Sequence, residues 1–308
     1  MREPPGGDGK WNMENGKKRP GLPKRHFPFS IAERSAVTAG VSRGFSIFHF
    51  PFSIASIASM LPAIVGYLDQ YLKTAEVADY PGAWNGLQVE NDGAVLKLGA
   101  AVDACAWTID AAVEQGISLL LVHHGLFWGG VQPLTGATRK KFKSALDGNL
   151  AIYSSHLPLD RHPVVGNNIL LAKALGLTKC EPFFTSKGQT IGLKTKAALT
   201  LEELARRMER ALGSAPHLCP GGPAKTARIG IVTGGAGGEV ARAAAEGVDT
   251  FITGEGPHHS YTAAEELGVN LLYGGHYATE VFGVKALAAH LSKRFRIPWQ
   301  FLDHPTGL

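Results

Sequence analysis

Cysteine is scarce in this chain: three in 308 residues, Cys105, Cys180 and Cys219, with no Cys-x-x-Cys spacing. That excludes a disulfide scaffold and a thiolate zinc knot, and it fits a reducing compartment, the cytoplasm. Basic excess is missing too, once the first 59 residues are set aside. Residues 1–59 hold nine Lys/Arg against four Asp/Glu, whereas residues 60–308 hold 22 of each. The net charge of +5 therefore belongs to the N-terminal segment, and the body of the chain offers no bulk cationic signal for nucleic acid. Charge of either sign is absent between positions 44 and 68. A signal peptide or membrane anchor is one reading of that run. Pro51, Pro62, His49 and several serines dilute it, however, and it passes into a helix-like segment from Leu61 to Leu72. The expectation is a disordered or non-native extension over 1–59, translated from an upstream start, with the globular body opening near Met60 and no membrane association.

What is abundant is alternation. Short apolar runs at 97–102, 117–122, 149–154, 189–195, 227–233, 249–253, 270–273 and 296–302 read as strands. Between them, 61–73, 106–116, 137–147, 164–176, 200–212, 238–247, 258–268 and 277–292 carry helical periodicity. Strands alternating with helices predict α/β layers around mainly parallel sheets. The two halves also resemble each other. Lys97 to Val102 parallels Arg228 to Thr233, and Val122-His123-His124-Gly125 parallels Thr253-Gly254-Glu255-Gly256 at the same offset; His156-x-x-x-Asp160 parallels His276-x-x-x-Glu280. This pattern predicts two α/β lobes of similar topology, 60–182 and 183–308, with the last segment packing back on the first lobe.

Three apolar runs end in metal-ligand residue types: His123 and His124, then His156 and Asp160, then His276 and Glu280. Open α/β sheets place ligands at the carboxyl ends of their strands. Neighbours in a strand point to opposite faces, so both histidines serve one site only if the strand has ended, which Gly125 permits. Adjacent imidazoles chelate one ion poorly; one histidine for each of two close ions is more natural. The bland alternative is a surface pair at a loop start. His276 and Glu280, four apart at a helix start, share one face, although such pairs are common on solvated helices. Pro158 lies between His156 and Asp160, so that segment is expected to be extended or turned rather than helical. Asp160 is the expected ligand and His156 a proton shuttle beside it. Imidazoles with carboxylates and no thiolate suit Zn, Mn, Fe, Co or Ni more than Ca or Mg, and Glu280 has the reach to bridge two ions. Gly234-Gly235-Ala236-Gly237-Gly238 lacks the Lys-Ser/Thr of a P-loop, so a tight strand-to-helix turn is favoured over a phosphate cradle. Glu255, His162, His258 and His259 are further candidates, Glu255 because it duplicates His124. His217, His290 and His304 read as ordinary surface residues, and Phe127, Trp128 and Trp299 as core aromatics.

Taken in order, Trp84-Asn85-Gly86-Leu87-Gln88-Val89, His123-His124-Gly125-Leu126-Phe127-Trp128, His156-Leu157-Pro158-Leu159-Asp160, Gly166-Asn167-Asn168 and Gly275-His276-Tyr277-Ala278-Thr279-Glu280 form a specific set. With these motifs the chain resembles the Nif-three-like dinuclear metal centre hexameric proteins, also named GTP cyclohydrolase I type 2 homologs, in their short bacterial branch. The resemblance covers about residues 60–308. It implies two interlinked α/β lobes, a toroidal homohexamer built as a trimer of dimers, and two divalent transition-metal ions per chain held by His123, His124, Asp160, His276 and Glu280. It also implies a hydrolase acting on a purine nucleotide or related heterocycle; a non-catalytic metal-binding scaffold, regulator or metal-delivery protein is the alternative. One departure stands out: the family usually places an acid after the tryptophan, and here Asn85 follows Trp84 directly.

Overall fold

The computed structural model describes residues 60–308; the extension expected over 1–59 lies outside the described residues. The first sheet has the order β1-β4-β3-β2-β11. Its strands are β1 (Gly86–Val89), β2 (Leu98–Asp103), β3 (Leu119–His124), β4 (Ala151–Ser154) and β11 (Trp299–Phe301). Strands β11, β2, β3 and β4 run parallel, and β1 closes the edge antiparallel to β4. β2, β3 and β4 are buried at nearly every position, which is why they read as continuous apolar runs rather than alternating ones.

The second sheet has the order β5-β6-β8-β9-β10-β7. Its strands are β5 (Glu181–Ser186), β6 (Gln189–Lys196), β7 (His217–Pro220), β8 (Arg228–Ile231), β9 (Thr250–Thr253) and β10 (Asn270–Tyr273). β8, β9 and β10 are parallel and β7 runs antiparallel to β10. The duplication read in the sequence therefore reappears in topology. β1 to β4 and β7 to β10 have the same chain order, neighbours and directions, and the sheets differ in what flanks β2 and β8.

Helices cover both sheets. α1 (Met60–Leu72) buries Leu61, Ile64, Leu68 and Leu72, a three- and four-residue spacing that makes one apolar face. α2 (Ala106–Glu114), α3 (Gly136–Asp147), α4 (Leu157–Asp160) and α5 (Asn167–Ala174) follow the first strands. α6 (Leu201–Leu212), α7 (Val240–Ala245), α8 (His259–Leu267) and α9 (His276–Phe295) follow in the second half. Among the described residues no helix is long and apolar enough to cross a membrane. α9 links the sheets. It starts where β10 ends, yet Val284, Leu287, Ala288 and Leu291 share a core cluster with Leu98, Ala100, Leu119 and Leu121 of the first sheet.

Three strands were missed by the periodicity, and each is an edge or hairpin element. β5 exposes Glu181, Pro182 and Thr185 and joins β6 through Lys187 and Gly188, both at positive φ, the two-residue turn that suits a twisted hairpin. β7 ends in Pro220 with only Cys219 buried, and β1 has four residues. One expectation is corrected. Leu157–Asp160 forms a single helical turn, because Pro158 sits in its first turn, where no N–H partner is lost.

The path of α9 requires a close approach at Gly283. Its N–H donates to Asn167 Oδ1 at 2.6 Å, and a Cβ there would lie 2.7 Å from the same oxygen and 3.0 Å from Leu159 Cγ. Gly283→Ala is expected to lower unfolding free energy in urea by about 1–3 kcal/mol, an overpacking cost. A change within about 0.5 kcal/mol, the ordinary surface range, would show that this approach does not constrain the helix.

Candidate metal centre

Strand β3 delivers both histidines at its end. Pairing continues through His124, which lies opposite Asp103 of β2, so the strand does not stop before the pair as expected; it ends with it. The two rings still reach one cleft, with centroids 4.8 Å apart. A Cβ on Gly125 would strike the amide of Gln88, whose Oε1 accepts from Leu126 N at 2.7 Å while its Nε2 donates to Trp84 O at 2.9 Å. The Trp84 to Gln88 motif thus clamps the loop that follows the histidines.

Each imidazole is held by its Nδ1. His123 Nδ1 donates to Ser155 O at 2.9 Å, and His124 Nδ1 to Asp103 Oδ1 at 2.9 Å. His276 Nδ1 donates to Glu255 Oε1 at 2.8 Å, and His156 Nδ1 to Asp79 Oδ1 at 2.8 Å. Carbonyl and carboxylate oxygens only accept, so Nδ1 carries a proton in each ring and Nε2 is the nitrogen turned to the cleft, where its lone pair is open to a cation once any second proton has left. This is how imidazole ligands are usually oriented toward metals.

Glu280 lies at the centre, one helical turn after His276 on α9. Its Oε1 is 3.4 Å from His123 Nε2; its Oε2 is 3.5 Å from His124 Nε2 and 3.2 Å from His276 Nε2. Asp160 Oδ2 is 3.5 Å from His123 Nε2. The other oxygen of Asp160, Oδ1, accepts from Asn167 Nδ2 at 2.8 Å and Thr233 Oγ1 at 3.3 Å, which turns Oδ2 toward the cleft. Asn167 thereby orients Asp160 and anchors α9 at once.

Three overlapping groups could hold a metal: His123, Asp160 and Glu280; His124, His276 and Glu280; and His123, His124 and His156, the ligand atoms in each lying within 4.8 Å of one another. The donor set fits. His123 Nε2 and Glu280 Oε2 are buried with no hydrogen-bond partner, although such atoms are costly when unsatisfied. The cleft brings together all five residues expected as ligands, and His156 with them. Glu255 faces the same cleft but binds the back of His276. His258 and His259 lie exposed at the start of α8, and His162 turns to Tyr71 O at 3.1 Å. The three supposed surface histidines all stack on aromatic rings: His290 on Tyr71, His304 on Trp107 and His217, which is itself exposed, on Tyr273. Trp128 is not a core residue; it is 43% exposed, 4.6 Å from the His156 ring.

Two acids escaped the sequence reading. Asp103 had a signal, an acid ending an apolar run beside the His124 strand. Asp79 had none, because it lies in a loop. Its Oδ2 accepts from Asn85 Nδ2 at 2.8 Å and Leu157 N at 2.9 Å. Asn85 Oδ1 in turn accepts from His156 N at 2.7 Å. The glycine run has a steric role: Gly234 is at φ 74°, and a Cβ there would lie 2.2 Å from Glu280 Oε1. It is a wall that lets Glu280 in.

The charges are tightly coupled. Burial disfavours an ionised Glu280, but His123, His276 and His124 overcome it and hold the carboxyl well below its usual value. Burial likewise opposes protonation of His123, yet Asp160 and Glu280 push it well up. His276, opposed by burial and favoured by Glu280 and Glu255, is pushed up to about 9. Asp79 sits below its usual range because the His156, Asn85 and Tyr80 hydrogen bonds outweigh its burial.

A sequence profile described as Duf34/NIF3 (NGG1p interacting factor 3) matches residues 60–306. A Deinococcus radiodurans protein named GTP cyclohydrolase 1 type 2 homolog is 42% identical over 248 residues, covering 80% of this chain and 93% of that protein. A Halobacterium salinarum protein of the same name is 41% identical, covering 78% and 97%. The crystal structure of TTHA1606 from Thermus thermophilus superposes with a TM-score of 0.74 at 40% identity, covering 80% of this chain and 99% of that one.

In the metal-free chain the raised imidazoles hold protons that a cation must displace. Zinc binding is therefore expected to release protons and to tighten as pH rises from 6.5 toward about 9. Calorimetry in two buffers of different ionisation enthalpy reads this directly; identical heats would refute it. By the same sign, the stability that His276 gives the metal-free fold is fully present below 6.5 and lost as pH rises through about 9.

Proposed function

The chain belongs to the Duf34/NIF3 family, and on that footing we propose that it is a dinuclear metal-dependent hydrolase acting on a purine nucleotide or related heterocycle. The observation that carries this reading is the division of the Glu280 carboxylate, one oxygen beside His123 and the other beside His124 and His276. His123, Asp160 and Glu280 would hold one divalent transition ion, and His124, His276 and Glu280 the second. Such a pair, when bound, supplies Lewis acidity and lowers the pKa of water from about 16 toward about 7. The remaining chemistry belongs to the protein. Asp79 keeps the His156 proton on Nδ1, leaving Nε2 to take a proton from the cleft and return it. Asp103, Glu255 and Ser155 O hold the His124, His276 and His123 imidazoles so that no ring must reorient. The cyclohydrolase name of the relatives is the support for a purine substrate. A ring-shaped homohexamer in the cytoplasm completes the reading.

Complete burial of His123 favours a second reading, a scaffold whose ions are held rather than used. The two readings separate at His156. Elemental analysis is expected to find about two transition ions per chain, the count of a two-metal site. Glu280→Ala should lose both ions, whereas His156→Ala and Asp79→Asn should keep them. On the hydrolase reading the last two variants lose GTP turnover by about 10²–10⁴-fold, the worth of a positioned acid–base group. Retention of both ions in a His123→Ala, Glu280→Ala double variant would sink the site assignment. Metal-replete protein inert toward nucleotides would favour the scaffold.

A further inference from the structure

Two cavities open onto the cluster, and His124, Trp128 and His276 line both of them. The smaller, of about 300 Å³, contains His156, Asp160, Thr233 and Glu280, with Tyr80 and Arg242 at its margins. The larger, of about 660 Å³, is lined by Asp103, His124, Trp128, Lys141, His276 and His304, among others. Pockets that enclose small ligands measure about 300–1,000 Å³, so the first is at the lower limit and the second comfortably within range.

Their cations differ as well. Arg242 is committed: its guanidinium is 3.1 Å from Glu239 and lies over the Phe184 ring at 5.1 Å. Among the described residues Lys141 has no carboxylate within salt-bridge distance, and it is half-buried against the larger cavity. The two acids of that cavity, Asp103 and Glu255, are taken up by His124 and His276. Aromatic surface lines it as well: Trp128, and His304, which stacks on Trp107 at 4.6 Å.

We infer that the larger cavity houses the body of a planar, anionic heterocyclic ligand of the nucleotide class. Its ring lies against Trp128, its anionic group is held by Lys141, and its reacting end faces the His124 and His276 side of the cluster. The smaller cavity then serves His156 and solvent. This inference rests on the nucleotide reading above and adds where, and by which cation, the ligand is bound.

The test is calorimetric titration of the zinc-loaded full chain with GMP and GTP. Lys141→Ala should weaken binding by about tenfold or more, the scale of one lost charged hydrogen bond, and Lys141→Arg should restore it. Trp128→Ala should also weaken it, while Arg242→Ala should stay within about twofold, the size of a negligible contact. Inorganic phosphate should compete with GMP in the wild type and lose that ability in Lys141→Ala. If Arg242→Ala weakens binding and Lys141→Ala does not, the ligand lies on the other side and the inference is overturned while the nucleotide reading survives. If neither nucleotide binds saturably to the metal-loaded wild type, both fall together.

Discussion

One buried carboxylate sets the terms for the rest of the structure. Glu280 is 2% exposed and lies among three imidazoles. An isolated charge in such a place costs several kcal/mol, so the surroundings must supply compensating charge and fixed partners. They do so in concentric fashion. The imidazoles face Glu280 with Nε2 because Ser155 O, Asp103 and Glu255 hold the other nitrogen of each. Gly234 at positive φ leaves room for the carboxylate itself. The helix that carries Glu280 must start at the second sheet and pack on the first, which ties the candidate metal site to the interlinking of the two halves.

The duplication explains how such a cluster arises and why it is asymmetric. The same strand-end positions carry His123 and His124 in one half and Gly254 and Glu255 in the other. A Cβ at Gly254 would meet Gly234 O at 2.7 Å and His276 Cα at 2.7 Å, so that position provides clearance where its counterpart provides a ligand type. Glu255, the counterpart of His124, has become the support of His276. His156 and His276 are counterparts too, and each has a carboxylate on Nδ1. They differ at Nε2: His276 approaches Glu280 at 3.2 Å, whereas His156 groups with His123 and His124 only. A shared scaffold thus gives one imidazole beside the central carboxylate and one at the border of the cluster.

The physical origin of each signal decides what was legible in the sequence. Parallel strands buried on both faces leave continuous apolar runs, so β2, β3, β4, β8, β9 and β10 stood out. The residues that end those runs, and the His-x-x-x-acid spacings after them, stood out with them. Three of the four edge strands, β1, β5 and β7, leave no such trace and were missed, whereas β11 at the remaining edge was read at 296–302. Asp79 belongs to a loop whose fold is set by tertiary hydrogen bonds to Asn85, His156 and Leu157; no local pattern encodes it. Pro158 misled because a proline reads as a break in an extended segment, yet it is tolerated in a first turn. The departure at Asn85 also has a structural meaning, since its side chain spans from Asp79 to the backbone of His156.

The position of Trp128 bears on the chemistry as much as on the shape. Its ring lies 5.2 Å from His124 and 4.6 Å from His156, which are 5.7 Å from each other, so it packs against both the proposed ligand and the proposed proton shuttle. A hydrolytic step needs the proton donor and the bulk of the substrate to approach one reacting centre without colliding. On the proposed hydrolase reading, a cluster with an uncommitted lysine in its wider cavity and His156 in the narrower one would meet that need. It also separates two demands that compete in a single pocket. On that reading the wide side is left to fit a ligand, while His156 on the narrow side is held by an Asp79 that accepts four hydrogen bonds, from His156, Tyr80, Asn85 and Leu157.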